Sequence, residues 1–245
     1  MTCWYEGPLA AFDTETTGSD VEGDRIVSAA LVVQDDAGAA PRVTRWLVDP
    51  GVPVPRAATD VHGLTDDFLH RNGRWPAPAV AEMAGSLADQ CAAGRPLVVL
   101  DAPFDLTLLD RELRRHRASR LARYLDRSPV AVVDPRVLDL HLDRYRKGHR
   151  TLPELCGRYG VELSTHGTEP DAAAGALAAL QLARAVGRRF AVRLERLSAA
   201  ELHRLQAAWH TTQQRGLRSW FTRTGTRAPT APGWPLRAEL PAAAA

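Results

Sequence analysis

Three short segments rich in apolar and β-branched residues follow one another near the N-terminus, and they constrain the fold more than any other feature. They span Leu9–Asp13, Arg25–Gln34 and Val43–Val48, with turn-forming residues between them, which predicts a three-stranded antiparallel meander. Beyond residue 79 the pattern changes to helical spacing interrupted by two short apolar runs. An antiparallel start followed by alternating helices and strands predicts an α/β domain with a mixed sheet and helices on its faces.

The later segments are placed by their periodicity and their capping residues. Two more buried strands are expected at Leu97–Leu100 and Val130–Val133. The expected helices are Ala79–Ala92, Pro103–Arg117, Pro135–Tyr145, Leu152–Tyr159, Asp171–Phe190 and Ser198–Trp220. The last of them opens with a capping box, in which Ser198 is followed three residues later by Glu201. Residues from Gly225 onward are expected to be irregular.

Length and composition exclude several classes of protein. The chain has 245 residues, of which 45% are hydrophobic, and this is enough for a core without disulfide or metal staples. Its three cysteines, Cys3, Cys91 and Cys156, are far apart in the sequence, which argues against a disulfide framework. Residues 1–6 lack the basic and apolar stretches of a secretory signal, and no apolar run is long enough to cross a membrane. We therefore expect a cytoplasmic protein without a membrane partner.

Charge is distributed unevenly along the chain. Residues 1–183 carry 20 Arg or Lys against 26 Asp or Glu, whereas residues 184–245 carry 11 Arg against 3 Glu. A basic segment of this kind favours a polyanionic partner such as nucleic acid, although a solvated helix face would have the same composition. We expect a domain over residues 1–190 and a basic helical C-terminal extension over residues 191–245.

Acidic residues stand at three points where a strand ends or a helix begins. Asp13 and Glu15 lie two residues apart at the end of the first strand, so their side chains point to the same side of the sheet. Asp105 falls in the first turn of a helix, and Asp171 opens the helix that follows His166. Each acid alone has an ordinary explanation as a turn residue or a helix cap. Two acids on one face repel each other unless cations lie between them, which makes the set a candidate site.

Together these motifs resemble those of the DEDDh, or DnaQ-like, 3′–5′ exonucleases, the family of the proofreading epsilon subunit of bacterial DNA polymerase III and of ribonuclease T. The first motif is Asp13-Thr14-Glu15-Thr16-Thr17-Gly18, the second is Phe104-Asp105, and the third runs from His166 to Asp171. The segment Val61-His62-Gly63-Leu64-Thr65 is similar to a connecting segment that is common in the family. The resemblance covers roughly Leu9 to Val186.

The resemblance implies a ribonuclease-H-like fold and a hydrolase that uses two metal ions. In the family pattern Asp13, Glu15, Asp105 and Asp171 are the catalytic metal ligands, and their oxygen donors suit two Mg²⁺ or Mn²⁺ ions. His166 would be the general base that takes a proton from the attacking water. The product would be a nucleoside 5′-monophosphate released from a 3′ end.

Four further residues are expected to contact the substrate: Thr14, Thr16, Thr17 and Phe104. The two later threonines could equally shape the turn, and an apolar residue in the first turn of a helix is more often part of the core. The chain departs from the family at Leu100-Asp101, where members usually carry His-Asn. The added negative charge should weaken the binding of a phosphate backbone unless a cation offsets it.

The sequence leaves the substrate and the role of the protein open between several alternatives. A single strand with an accessible 3′ end is expected, and DNA is favoured. An exoribonuclease of the same family that trims RNA is the first alternative, because no residue can be assigned to reading the 2′-hydroxyl. The others are a non-catalytic nucleic-acid-binding module, which the presence of all four acids disfavours, and a subunit that binds a polymerase or repair partner.

Overall fold

The computed structural model describes residues 3–126, 129–163, 172–225 and 233–238. Within these residues, five strands form one sheet: β1 Leu9–Thr16, β2 Ile26–Gln34, β3 Arg42–Leu47, β4 Leu97–Val98 and β5 Val132–Val133. The helices that surround it are α1 Arg56–His62, α2 Asp66–Asn72, α3 Pro76–Ala92, α4 Ala102–Arg117, α5 Leu121–Leu125, α6 Pro135–Leu142, α7 Leu152–Tyr159, α8 Ala172–Arg189, α9 Ala191–Leu194 and α10 Ala199–Thr224.

The sheet is mixed, as the order of the segments predicts. Its strands lie in the order β3-β2-β1-β4-β5. The meander β1-β2-β3 is antiparallel, and β4 and β5 are added in parallel on the other side of β1. The strand that carries the first acidic motif is therefore the central strand of the sheet.

Both faces of the sheet are covered, and β1 contributes to the core on each side. Ala10 and Phe12 belong to a buried cluster with side chains of α3, α4 and α5. Leu9 and Ala11 belong to a second cluster with side chains of α6, α7 and α8. This alternation follows from the two-residue period of a strand, and it explains why the first half of β1 is apolar without interruption.

The C-terminal helix α10 packs along the edge strand β5. The predicted capping box at its start is confirmed, because the Ser198 hydroxyl accepts from the Glu201 N–H at 3.2 Å and the Glu201 carboxylate accepts from the Ser198 N–H at 2.8 Å. Gln206 is fully buried, and both the oxygen and the nitrogen of its side-chain amide form hydrogen bonds to the backbone at the edge strand β5. Its Oε1 accepts from the Asp134 N–H at 2.8 Å, and its Nε2 donates to the Val132 carbonyl at 3.0 Å.

The domain boundary at residue 190 stays a prediction, and several local details differ from the sequence expectations. The strand β1 continues to Thr16, three residues further than predicted. The helices α1 and α2 were not expected, since each has only seven residues and shows too few turns for a periodic pattern. The helix α10 runs to Thr224 and ends at Gly225, whose φ of 70° is the left-handed conformation that glycine adopts readily.

The three cysteines are free thiols, and two of them lie in the core. Burial raises the pKa of Cys91 and of Cys156 to about 11, so both thiols stay protonated near neutral pH. None of the helices in the described part of the chain is long and apolar enough to cross a membrane.

We predict that Gln206→Leu destabilises the protein by about 2–6 kcal/mol. The apolar side chain would leave the Asp134 N–H and the Val132 carbonyl buried without partners, and each such group costs about 1–3 kcal/mol. The measurement is the free energy of unfolding in urea. Gln213→Leu is the matched control in the same helix, because Gln213 donates one bond to the Val137 carbonyl and its own Oε1 has no hydrogen-bond partner in the described structure. An equal loss in both variants would contradict the role given to Gln206.

Candidate active site

The second half of β1 presents acidic side chains on one face of the sheet and Thr14 on the other. Since successive strand residues point to opposite faces, Asp13 and Glu15 continue the row that packs against α8, and Thr14 continues the row that packs against α4. The pairing of β1 with β2 shifts between Glu15 and Thr16, so the regular ladder ends directly after the second acid. The alternation of side chains along β1 therefore places the acids of the first motif beside α8 and Thr14 beside α4.

Asp105 lies in the first turn of α4, as predicted. The Thr14 hydroxyl donates to Asp105 Oδ1 at 2.5 Å, and the Asp105 side chain is only 4% exposed. Burial, followed by the charge of Asp13, raises the pKa of Asp105 well above its usual range, while the bond from Thr14 lowers it. Asp101 and Glu15 add smaller repulsive contributions. The three predicted acids Asp13, Glu15 and Asp105 therefore act on one another electrostatically.

The first turns of α8 approach the sheet closely because their side chains are small. Ala172 and Ala173 form a buried cluster with Ala30 of β2, which is the residue paired with Asp13. A Cβ added at Gly175 would lie 2.2 Å from Asp13 Oδ2, so any larger residue there would displace the carboxylate. The lack of a side chain at Gly175 therefore leaves space for the Asp13 carboxylate, a contact that the sequence pattern does not reveal.

His62 holds the end of β1 from the side of α1. Its ring is buried, its Nδ1 accepts from the Leu64 N–H at 3.1 Å, and its Nε2 lies 3.2 Å from the Thr16 carbonyl. These two contacts assign the proton to Nε2, which then donates to the carbonyl. Desolvation lowers the pKa of His62, so the ring is neutral at neutral pH. His62, in the connecting segment Val61-His62-Gly63-Leu64-Thr65, thus fixes the backbone next to Glu15.

The hydroxyls of Thr16 and Thr17 make contacts within the turn that follows β1. Thr16 Oγ1 donates to the Gly18 carbonyl at 2.7 Å. Thr17 is buried, and its Oγ1 donates to Asp24 Oδ1 at 2.7 Å and accepts from the Arg25 N–H at 3.0 Å. These contacts match the turn-shaping alternative, and a substrate role for the two residues stays a prediction.

Phe104 lies half-buried against the core cluster of α3 and α4. The Arg237 guanidinium stands 5.9 Å from the centre of its ring. The ring of Phe104 therefore packs against the core. Contact of Phe104 with substrate bases stays a prediction.

Asp101, the residue that departs from the family pattern, carries a compensating cation. Its carboxylate accepts from Arg136 Nη1 at 2.6 Å, so the guanidinium offsets the negative charge that Asp101 adds near the expected phosphate backbone. Asp101 precedes α4 with φ 59° and ψ 49°, a left-handed conformation that Asp and Asn tolerate better than most residues. The change from Asn to Asp is therefore compatible with the backbone at this point.

Asp134 is a structural residue of the site that the motif analysis missed. Its fully buried carboxylate accepts from the Ala102 N–H at 3.0 Å at the start of α4 and from the Arg136 N–H at 2.9 Å at the start of α6. Burial, followed by the charge of Asp101, raises the pKa of Asp134 to about 6. The signal was present in the sequence as an Asp-Pro pair after a buried strand, which is a common helix start.

His166 and Asp171 lie outside the described residues. Among the residues that the structure does describe, no group of three His, Cys, Asp or Glu side chains is arranged to hold a metal ion. The donor chemistry nevertheless fits a hard divalent cation, because the acids near the end of β1 are carboxylates that repel one another. Burial, and after it the repulsion among these acids, raises the pKa of Asp105. A cation placed among them would remove that repulsion.

The family model described as Exonuclease, RNase_T, matches residues 10–178 of this chain. The chain belongs to the exonuclease family. The resemblance inferred from the motifs and the fold inferred from the order of segments are both confirmed. Members of the family depend on divalent metal ions.

Proteins similar to this chain are named as polymerase subunits and exonucleases. A DNA polymerase III subunit epsilon-like protein of Rhodobacter capsulatus is 42% identical over 106 residues, which cover 42% of this chain and 14% of that protein. A DNA polymerase III subunit epsilon of Pasteurella multocida is 28% identical over 171 residues, which cover 65% of this chain and 62% of that protein. The zinc-bound complex of E. coli exonuclease I with single-stranded DNA has a similar fold, with a TM-score of 0.63 at 15% identity over 86% of this chain and 45% of that one. The chain spans less than two thirds of the length of each of these proteins.

We predict that Asp105→Asn stabilises the protein when metal is removed. An acid whose pKa is raised by folding binds more protons in the folded state than in the unfolded state above its ordinary pKa, so stability falls as pH rises through that window. Asparagine cannot ionise, and its Oδ1 still accepts from Thr14. The melting temperature in excess chelator should therefore exceed that of the wild type at pH 8, and the difference should shrink toward pH 4.

Asp89→Asn is the control, because Asp89 is exposed on α3 and a surface change of this kind shifts stability by about 0.5 kcal/mol at most. A stability difference between Asp105→Asn and the wild type that does not vary with pH would contradict the prediction.

Proposed function

We propose that the protein is a metal-dependent 3′–5′ exonuclease that removes nucleoside 5′-monophosphates from the 3′ end of single-stranded nucleic acid, with DNA as the favoured substrate. The observation that carries the proposal is the convergence of Asp13, Glu15 and Asp105 from β1 and α4 within an exonuclease-family domain. The names of the relatives, which are subunits of a DNA polymerase, support DNA over RNA. They also support a polymerase or a repair protein as a partner.

Asp13, Glu15, Asp105 and Asp171 would hold the metal ions, and Mg²⁺ or Mn²⁺ suits their oxygen donors. When bound, two such ions supply a nucleophilic water and stabilise the leaving 3′-oxygen. The side chains of the chain itself set the geometry. Thr14 orients the Asp105 carboxylate through its hydrogen bond, and the lack of a side chain at Gly175 leaves space for the Asp13 carboxylate.

His166 is proposed as the proton acceptor on the basis of its place in the third motif. A neutral imidazole takes a proton from water more readily than a carboxylate does, because its ordinary pKa of about 6.5 is closer to neutral pH. The negative charge that Asp101 adds, relative to the usual family sequence, is offset by its ion pair with Arg136.

We expect Asp13→Ala to lower hydrolysis of a labelled single-stranded DNA oligonucleotide by at least about 10²-fold, the scale seen when a group that stabilises transition-state charge is lost. The assay uses a 5′-labelled strand with Mn²⁺, with Mg²⁺ and with excess chelator, beside duplex DNA and single-stranded RNA. A ladder shortened from the 3′ end gives the polarity, and the nucleotide product gives the bond that is cleaved.

Asp89→Ala serves as the control for loss of an exposed acid. Full hydrolysis by Asp13→Ala, or by the wild type in excess chelator, would refute the metal-dependent mechanism. A clear preference for RNA would move the assignment to RNA trimming.

We expect His166→Ala to reduce turnover by about 10²–10⁴-fold, the contribution typical of a general base. In the wild type the rate should rise with pH through the range where an imidazole loses its proton, and this rise should be absent in the variant. Affinity for the metal should persist, because no proposed ligand is removed. The control is His149→Ala, at an exposed position. A wild-type turnover and pH profile in His166→Ala would show that another group accepts the proton.

A further inference from the structure

A groove of about 1000 Å³ runs between α6 and α10. Asp101 and Pro103 are among its lining residues, and they lie just before the Phe104-Asp105 motif on α4. The groove therefore includes residues next to the proposed catalytic centre as well as residues of the C-terminal helix. Residues 199–224, which form one wall, lie beyond the part of the chain that the family model matches.

The groove carries a surplus of positive charge. Arg144, Arg193 and Arg237 line it, and none of them forms an ion pair with an acidic side chain within the described structure. The acids that also line it are already engaged. Asp101 is paired with Arg136, Asp143 is paired with Arg158 outside the groove, and the buried Asp134 accepts backbone N–H groups.

Aromatic and amide groups lie between these arginines. The rings of His141 and Trp209 stack at a centroid distance of 3.9 Å and an angle of 7°. Arg193 Nη2 lies 3.4 Å from His141 Nε2 and donates to it, so the guanidinium stands beside the stacked pair. Gln213 and Gln214 add amide groups along α10. Guanidinium groups that bind phosphate, next to aromatic and amide groups, are the combination that single-stranded nucleic acid requires.

We propose that this groove binds the single-stranded segment on the 5′ side of the nucleotide being removed. The proposal rests on the proposed exonuclease function for the direction of the strand, since the 3′ end must reach Asp13 and Asp105. Arg144 and Arg193 contact its phosphates, and the His141–Trp209 pair forms the aromatic part of the wall. The surface thus combines His141 and Arg144 from the part matched by the family model with Arg193 and Trp209 from the basic segment beyond it.

The test compares two double charge reversals that change the net charge equally. Arg144→Glu with Arg193→Glu alters the groove. Arg117→Glu with Arg123→Glu is the control, because both residues are exposed and Arg117 lies about 18 Å from Asp105 along α4, at 1.5 Å per residue. Fluorescence anisotropy gives the Kd of a 5′-labelled 12-residue oligodeoxythymidylate in excess chelator at several salt concentrations. Circular dichroism confirms that each variant is folded.

The groove variant should bind at least about tenfold more weakly than the wild type at low salt, and the slope of log K against log salt should become shallower by about 1.4, the value for two phosphate contacts in a single strand. The control should keep the wild-type slope. An equal loss of affinity in both variants would show that binding depends on net charge alone. An unchanged affinity in the groove variant would indicate that the groove binds a protein segment instead of the strand. Either result overturns the proposal, as does a wild type that does not bind the oligonucleotide.

If the groove variant with two charge reversals does not fold, Arg144→Gln with Arg193→Gln replaces it. Arg117→Gln with Arg123→Gln is then the control with the same change in net charge. Binding in chelator does not depend on catalysis. A wild type that binds the strand through the groove but hydrolyses nothing with Mn²⁺ would refute the proposed function and leave the groove assignment standing.

Discussion

The repulsion among the carboxylates near the end of β1 is the interaction on which the rest of the site depends. Folding buries Asp105, and this burial, followed by the charge of Asp13 and a smaller contribution from Glu15, raises the pKa of Asp105. This arrangement costs stability when no cation is present. The surroundings accommodate the acids in this arrangement. The Thr14 hydroxyl donates to one oxygen of Asp105, and the lack of a side chain at Gly175 leaves space for the Asp13 carboxylate. The fold therefore keeps a repulsive cluster that a divalent cation would stabilise.

The position of Asp105 is also linked to the C-terminal helix through buried polar groups. Gln206 accepts from the Asp134 N–H, and the Asp134 carboxylate accepts from the first N–H groups of both α4 and α6. Buried groups of this kind are costly when unpaired, so each bond fixes the next. The helix α10 thus helps to set where α4 begins, and the first turn of α4 is where Asp105 lies.

The antiparallel meander, the mixed sheet and the position of Asp13 and Glu15 on one face could be predicted, because a strand has a strict two-residue period and the apolar runs were distinct. The position of Asp105 in the first turn of its helix and the capping box at Ser198 followed from local signals in the same way. The contacts of Gly175 and His62, and the bond from the Ala102 N–H to Asp134, could not be predicted, since they join segments that are distant in the sequence. The cap that Asp134 forms at the start of α6 is local and was missed although its Asp-Pro signal was present. The short helices α1 and α2 were missed because seven residues give too little periodicity.

A site made of carboxylates has to bind a nucleic acid, which is itself a polyanion. This requirement explains why an uneven distribution of charge along the chain is useful. Residues 1–183 are acidic and would repel a phosphate backbone, whereas residues 184–245 carry the excess of arginine. The fold places part of that excess where it is needed, since Arg193 lies in the groove that Asp101 and Pro103 also line. Arg136 forms an ion pair with Asp101 and so offsets its negative charge. The chain can thus keep its acids concentrated for cations while the strand meets positive charge along the groove.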